Sequence, residues 1–291
     1  MDERTGVEVA LAAADELGEA PHWLAETGEL VRVDVKRGLV LGWRPGGGEW
    51  SMGVDGEIGA AIPRRRGGWV LAVERELILV DEGGARRSLL SVEPGLAANR
   101  FNDCQVDPSG TLWAGTMSRT RTRGAAALYR VAPDGGVERA VSGLTISNGL
   151  GWSPDGELLY HVDSTSHRID LFDFDPAGSS LSGRRPFVSV DPANGMPDGL
   201  AIDAEGGVWV CLFGGGELRR YAPDGELDAA IRLPVAKPTC PAFGGPGLET
   251  LFVTTARHGR TPSQLRGEPA AGAVLALRPG VAGQPERSFA G

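Results

Sequence analysis

Met196-Pro197-Asp198-Gly199-Leu200-Ala201-Ile202-Asp203-Ala204-Glu205-Gly206 reads as a turn, a short apolar strand and a polar turn closed by glycine. Asp198 is its first polar residue. The same pattern recurs along the chain, with a turn glycine eight positions after the opening residue. Gly59 leads to Gly67, Asn102 to Gly110, Asn148 to Gly156 and Thr239 to Gly247; Glu19 leads to Gly28 with one extra residue. Six starts, at 19, 59, 102, 148, 198 and 239, are spaced by about 44 residues on average.

A second strand follows each glycine, as in Gly68-Trp69-Val70-Leu71-Ala72-Val73, Glu157-Leu158-Leu159-Tyr160-His161-Val162 and Gly207-Val208-Trp209-Val210-Cys211. Further strands follow, for example Leu218-Arg219-Arg220-Tyr221 before the turn Pro223-Asp224-Gly225. Four short strands in about 44 residues make one blade of a β-propeller. The expected fold is all-β: a six-bladed propeller with four antiparallel strands per blade and a metal site in the central channel, built as one domain over residues 1–291. A β-sandwich with coincidental turns is the alternative, and sixfold repetition of the spacing speaks against it. The segment from Thr239 to the C-terminus is expected to complete the sixth blade and help close the ring. Gly259 to Gly272, rich in Gly, Pro, Arg and Gln, reads as a loop within that blade.

Composition agrees. Glycine accounts for 44 of 291 residues, about double the usual ~7%, and 20 prolines add to the turn content. No stretch sustains a 3.6-residue period. A net charge of −9 argues against nucleic acid as a partner. Three cysteines, Cys104, Cys211 and Cys240, lack CxxC spacing, which argues against a disulfide framework and suits a reducing, cytoplasmic compartment. Residues 1–4 carry no signal-peptide pattern, and no apolar run approaches the ~18 residues of a membrane span. A soluble monomer acting on a small molecule is expected.

In a propeller the first strand of each blade lines the channel, so the six starts face one another. Glu19, Gly59, Asn102, Asn148, Asp198 and Thr239 would place two carboxylates, two amides and a hydroxyl around a narrow site. Carboxylates there are costly without compensation, and a bound cation is the simplest compensation. All-oxygen donors favour Ca²⁺, with Mg²⁺ or Mn²⁺ next and Zn²⁺ less expected. The plainer reading is that Asn148 and Asp198 only hydrogen-bond the turns they begin, as Asn-Gly and Asp-Gly pairs often do. Convergence of several oxygen donors favours the cation.

The chain resembles the senescence-marker-protein/gluconolactonase family, which includes regucalcin and the luciferin-regenerating enzyme. The matching stretches are Leu17-Gly18-Glu19-Ala20-Pro21-His22-Trp23, Arg100-Phe101-Asn102-Asp103, Trp113-Ala114-Gly115-Thr116-Met117, Ile146-Ser147-Asn148-Gly149-Leu150, Pro197-Asp198-Gly199 and Thr255-Ala256-Arg257. The resemblance implies a six-bladed propeller binding one divalent cation through Glu19, Asn148 and Asp198. It implies that Arg100 and Asn102 contact substrate and that Asp198 is also the acid/base residue. Spacing alone does not separate Asn148 from Asn102. Two departures stand out. Sugar-lactone-cleaving members often carry acidic residues after Gly-Thr-Met, whereas this chain has Ser118-Arg119-Thr120-Arg121-Thr122-Arg123. The Arg-Phe-Asn-Asp segment is usually followed by glycine, and here by Cys104.

The chemistry implied is metal-assisted hydrolysis of a lactone, with Asp198 as general base. Alternatives are a propeller hydrolase or repurposed biosynthetic enzyme acting on a phosphoester or other non-sugar metabolite, and a non-catalytic calcium-binding protein. No G-x-S-x-G or H-E-x-x-H motif is present. Cys104 reads as a small buried residue rather than a nucleophile. Of the four histidines, His258 is the one placed near a mouth loop. Arg119, Arg121 and Arg123 read either as a solvated loop or as a lid attracting an anionic substrate, with Arg119 a candidate substrate contact.

Overall fold

The computed structural model describes residues 6–291. Its first strand, β1 (Glu8–Leu11), belongs to the last sheet. The first blade is β2 (Gly18–Leu24), β3 (Glu29–Asp34), β4 (Leu39–Trp43) and β5 (Glu49–Gly53). The second is β6 (Ile58–Pro63), β7 (Trp69–Val73), β8 (Glu76–Val80) and β9 (Arg86–Ser91). The third is β10 (Asn99–Val106), β11 (Leu112–Ser118), β12 (Ala126–Val131) and β13 (Val137–Leu144). The fourth is β14 (Ser147–Trp152), β15 (Leu158–Asp163), β16 (Arg168–Asp175) and β17 (Ser180–Ser189). The fifth is β18 (Met196–Ile202), β19 (Val208–Phe213), β20 (Glu217–Tyr221) and β21 (Leu227–Arg232). The sixth joins β22 (Pro238–Gly244), β23 (Thr250–Thr255) and β24 (Val274–Leu277) to β1. Each inner strand packs beside the next, and β22 beside β2, so the ring closes as a six-bladed propeller.

Closure differs from the sequence expectation. The segment after Thr239 supplies three strands, and the fourth comes from the N-terminus. There β1 pairs antiparallel with β24, Glu8 opposite Ala276 and Val9 opposite Leu275. Residues 259–272 are not all loop either. A single-turn helix, α1 (Pro262–Gly267), is capped by Thr261, whose hydroxyl accepts from Gln264 N while Gln264 Oε1 accepts from Thr261 N. This is a capping box.

The blades form for local reasons that repeat. After β10, Asp107 Oδ1 accepts from the backbone N–H groups of Ser109 and Thr111, and its Oδ2 accepts from Trp113 Nε1. After β18, Asp203 does the same with Glu205, Gly207 and Trp209. Each aspartate thus fixes the turn and anchors a tryptophan of the next strand. Between the third and fourth blades, Trp113, Trp152 and Phe174 meet edge to face, with centroids 5.7–6.3 Å apart. Contacts of this kind are worth about 1 kcal/mol each beyond burial. Among the described residues, no helix is long and apolar enough to cross a membrane.

The two ends of the channel are built differently. At the end where the inner strands start, called upper here, every inner strand carries a break in register. The breaks fall between Glu19 and His22, Ile58 and Ala60, Phe101 and Cys104, Ser147 and Leu150, Pro197 and Leu200, and Pro238 and Pro241. Such bulges re-aim side chains. Two glycines make the crowding tolerable. A Cβ on Gly149 would lie 2.4 Å from Leu200 N, and one on Gly199 would lie 2.5 Å from Cys240 Cβ.

At the lower end the C-terminal tail crosses the channel, hydrogen-bonding to five blades and touching the first through His22. Ala204 N donates to Ala282 O, Gly283 N to Leu248 O, and Gln284 Nε2 to Trp152 O. Phe289 N donates to Pro63 O and Ala290 N to Gly110 O. His22 of the first blade lies 3.4 Å from Glu286. The Phe289 ring is buried in the cluster of the second and third blades.

Candidate functional site

Glu19, Asn148 and Asp198 sit at the register breaks of β2, β14 and β18, which turns all three into the upper channel. Asn148 and Asp198 are each only 6% exposed. Asn148 Nδ2 donates to Asp198 Oδ1 and, at 3.0 Å, to Ser164 Oγ. Among the described residues nothing donates to Asn148 Oδ1. Glu19 keeps some solvent contact through the mouth although protein surrounds it.

Charge accumulates here. Burial pushes the Glu19 carboxyl well above the usual range, and repulsion from Asp198 and Asp103 pushes it further, against attraction from Arg100. Burial likewise raises Asp198, with Asp103 adding to the effect. Asp103 itself is pushed up to about 7, by burial first and by Glu286 second. Glu19 and Asp198 therefore share the upper channel with one near cation, Arg100, and Asp103 adds its charge from below. In the sequence Asp103 stands inside the Arg100-Phe101-Asn102-Asp103 stretch with no role implied for it. Its place beside Asn102 in a channel strand was the available signal.

Asp103 points down. With Gln105, His22, Gln284 and Glu286 it lines a cavity of about 70 Å³ between the site and the C-terminal tail.

Arg100 and Asn102 are brought together at the wall. Arg100 Nη1 donates to Phe101 O at 2.7 Å and to Asn102 Oδ1 at 2.9 Å. Its Nε lies 3.0 Å from Glu57 Oε2, an off-line contact that is Coulombic rather than a well-aligned hydrogen bond. Asn102 Nδ2 donates to Ser147 O. Arg100 Nη2 has no acceptor among the described residues, so a donor remains for a ligand.

Arg119 stands next to this group and is held by it. Its Nε donates to Glu57 at 3.2 Å and its Nη2 to Glu74 at 2.6 Å. Glu57 also takes Lys36, at 2.7 Å. Burial raises the Glu57 carboxyl, yet Lys36, Arg100 and Arg119 together hold it below the usual range. Neither Glu57 nor Glu74 was singled out in the sequence, since neither lies at a strand start.

The other sequence candidates are placed elsewhere. Thr239 does not offer its hydroxyl to the channel as the sixfold ring predicted. Its Oγ1 donates to Gly18 O at 2.6 Å and meets Thr254 Oγ1 at 2.8 Å, fastening the sixth blade to the first. Gly59 leaves room for its neighbour, since a Cβ there would lie 2.2 Å from Asn102 O. Cys104 is 3% exposed in an apolar cluster, and burial pushes its thiol well up. His258 is half exposed, 3.3 Å from Glu16.

Six blades around a channel whose upper end gathers oxygen donors define a six-bladed β-propeller with a polar central site. The chain belongs to the SMP-30/Gluconolactonase/LRE-like family, whose pattern matches residues 17–257. It is 34% identical to regucalcin of Xenopus laevis over 294 residues, covering 98% of each chain. It is also 34% identical to the 6-deoxy-6-sulfogluconolactonase of Pseudomonas putida over 277 residues, covering 94% of this chain and 95% of that one. The crystal structure of a calcium-binding protein, regucalcin, from Agrobacterium tumefaciens superposes with a TM-score of 0.92 at 28% identity, covering 98% of this chain and 97% of that one.

Proposed function

We propose that the protein is a divalent-cation-dependent lactonase with Asp198 as general base. One observation carries this reading: Glu19, Asn148 and Asp198 converge at the upper channel as two carboxylates and an amide, with burial and mutual repulsion raising both carboxyls. Among the described residues no group of three or more His, Cys, Asp or Glu side chains is arranged to hold a metal. The donor set suits a hard cation instead. It is all oxygen, it carries uncompensated negative charge, and Asn148 Oδ1 is free to face inward. Glu19, Asn148 and Asp198 would hold the cation, Ca²⁺ before Mg²⁺, Mn²⁺ or Zn²⁺. Bound there, it supplies a Lewis acid for the oxyanion that develops on the lactone carbonyl.

The chain's own groups do the rest. Arg100 Nη2 and the remaining Asn102 amide hydrogen orient the cyclic ester. Asp198 takes a proton from water as the water oxygen bonds to the carbonyl carbon. The tetrahedral intermediate then collapses, the ring C–O bond breaks, and the same proton passes to the departing alkoxide. The product is the open hydroxy acid, with one water consumed. Asn148 holds Asp198 in place through its Nδ2 hydrogen bond.

Membership of the family and the activity named for the Pseudomonas putida relative support this reading. The Agrobacterium tumefaciens protein is named as calcium-binding, which fits the cation proposed here and also a second reading in which Ca²⁺ binding is the whole function. A panel of lactones, assayed with Ca²⁺ and after chelation, separates them. Turnover that chelation abolishes supports the lactonase. Calorimetric Ca²⁺ binding with no lactone opened supports the second reading. Turnover of phosphoesters alone replaces both.

A further inference from the structure

The Asn148 amide is held at two points, and only one of them is another member of the upper site. Its Nδ2 donates to Asp198 Oδ1 and, at 3.0 Å, to Ser164 Oγ. Ser164 is 3% exposed. It opens a single 3₁₀ turn, Ser164–Ser166, that follows directly on β15. That turn is fastened to the residues just ahead of β14. Asp163 Oδ2 accepts from Thr145 N at 3.2 Å and its Oδ1 from Ile146 N at 3.1 Å, while Ser164 N donates to Ile146 O at 3.1 Å. Within the turn the Thr165 hydroxyl donates to Asp163 Oδ1, the Ser166 hydroxyl to Asp163 O, and His167 N to Ser164 O.

The two bonds on Asn148 differ in kind. The one to Asp198 joins two oxygen donors of the channel, so it shifts when either of them shifts. The one to Ser164 joins the amide to the frame of the fourth blade. Asp198, once ionised as cation binding requires, only accepts, so it draws the NH₂ end of the amide and turns Oδ1 away. Ser164 takes the second hydrogen of that NH₂ group, which fixes the plane of the amide about its terminal torsion. Torsions of this type are otherwise broad. With both hydrogens taken, Asn148 Oδ1 keeps one direction, and among the described residues nothing donates to it. Loss of the Ser164 hydroxyl would free that torsion and leave a buried N–H without an acceptor.

Building on the cation reading above, we propose that Ser164 is a positioning residue for that site: its hydroxyl locks the Asn148 amide so that Oδ1 is presented to a hard divalent cation. Its effect passes through Asn148 alone. The neighbouring hydroxyls have a different task. Thr165 and Ser166 spend theirs on Asp163, which keeps the turn in shape, and neither bonds to Glu19, Asn148 or Asp198. Ser164 lies at the end of a second strand rather than at an inner-strand start, so the blade repeat does not single it out.

Calorimetry with Ca²⁺ tests this. Ser164→Ala should bind about 10- to 100-fold more weakly than wild type, the usual loss when the hydrogen-bond partner of a metal ligand is removed. Ser164→Thr keeps the hydroxyl and should recover most of the affinity. Ser166→Ala removes a hydroxyl from the same turn and should bind as wild type does. Undiminished affinity in Ser164→Ala, an equal loss in Ser166→Ala, or a Ser164→Thr no tighter than Ser164→Ala overturns the proposal and leaves the cation reading standing. A second readout needs no metal. In the chelated protein the two Asn148 Nδ2 hydrogens, assigned by NMR from their loss in Asn148→Asp, should both exchange slowly in wild type. In Ser164→Ala one of the two should exchange faster. Exchange that Ser164→Ala leaves unchanged overturns the lock whatever the cation affinity. Faster exchange of that one hydrogen in a protein that binds no Ca²⁺ upholds the lock, and the cation reading then falls alone.

Discussion

The two ends of the channel are made from the same six inner strands, yet they solve opposite problems. At the lower end the tail supplies partners to all six blades, and Phe289 fills the space beneath the second and third. At the upper end each strand breaks register, and the buried carboxyls of Glu19 and Asp198 repel each other with no carboxylate-to-cation pair of their own. Buried charge that is not compensated costs stability, so a fold keeps it only where it has a use. The lower end is where this protein gains stability, and the upper end is where it gives some up.

The sharpest way to break that contrast is Asp198→Asn. Activity should fall on the order of 10³-fold, as expected when a general base is removed. The side chain keeps its shape and still accepts from Asn148. In the chelated protein one of the repelling carboxylates is gone, so the melting temperature should rise while activity collapses. A variant that loses activity and melts lower in chelator would place Asp198 among the supporting residues instead.

The converse change lies at the other end. Phe289→Ala removes a fully buried ring from the cluster that includes Phe101 and Leu112. Core Phe→Ala changes cost about 3–5 kcal/mol, and urea unfolding should show a loss in that range. Ca²⁺ affinity measured by calorimetry should stay within a few-fold of wild type. Coupled loss of both would mean that the tail sets the geometry of the upper site through the 70 Å³ cavity between them.

The same contrast explains what could be read in advance. That Glu19, Asn148 and Asp198 face the channel was legible because each lies near the start of an inner strand, and strand starts recur with the blade; choosing them over Asn102 as cation ligands came from the family resemblance, since spacing treats all four alike. Propeller class followed from that repetition. Thr239 obeys the same spacing but spends its hydroxyl on Gly18 O, 221 positions away in the chain. Periodicity names a position and says nothing about which way its side chain turns at a bulge. Pairing of β1 with β24 and contact of the tail with every blade join segments that share no repeat, so no spacing announces them. The clamp on Arg119 comes from Glu57 and Glu74, which lie between strand starts and so fall outside the pattern.

Proton linkage gives the finest test of the upper end. Without a cation, Glu19 and Asp198 have carboxyls raised above their unfolded values, and Asp103 titrates near 7. Between the ordinary carboxylate range and those raised values the folded protein holds more protons than the unfolded chain. Stability of the metal-free protein at these groups is therefore greatest at low pH and declines as pH rises through that interval. Binding a cation requires the ionised carboxylates, so it must expel the protons still held. At pH 6–7, titration with Ca²⁺ in two buffers of different ionisation enthalpy should show net proton release of up to about one per cation. The apparent affinity should strengthen as pH rises toward 8. In Asp103→Asn the release should shrink, since the group titrating near 7 is lost and its repulsion of Glu19 and Asp198 goes with it. Binding without proton exchange would mean that the upper carboxylates are already ionised, and the opposition between the two ends would then rest on geometry alone.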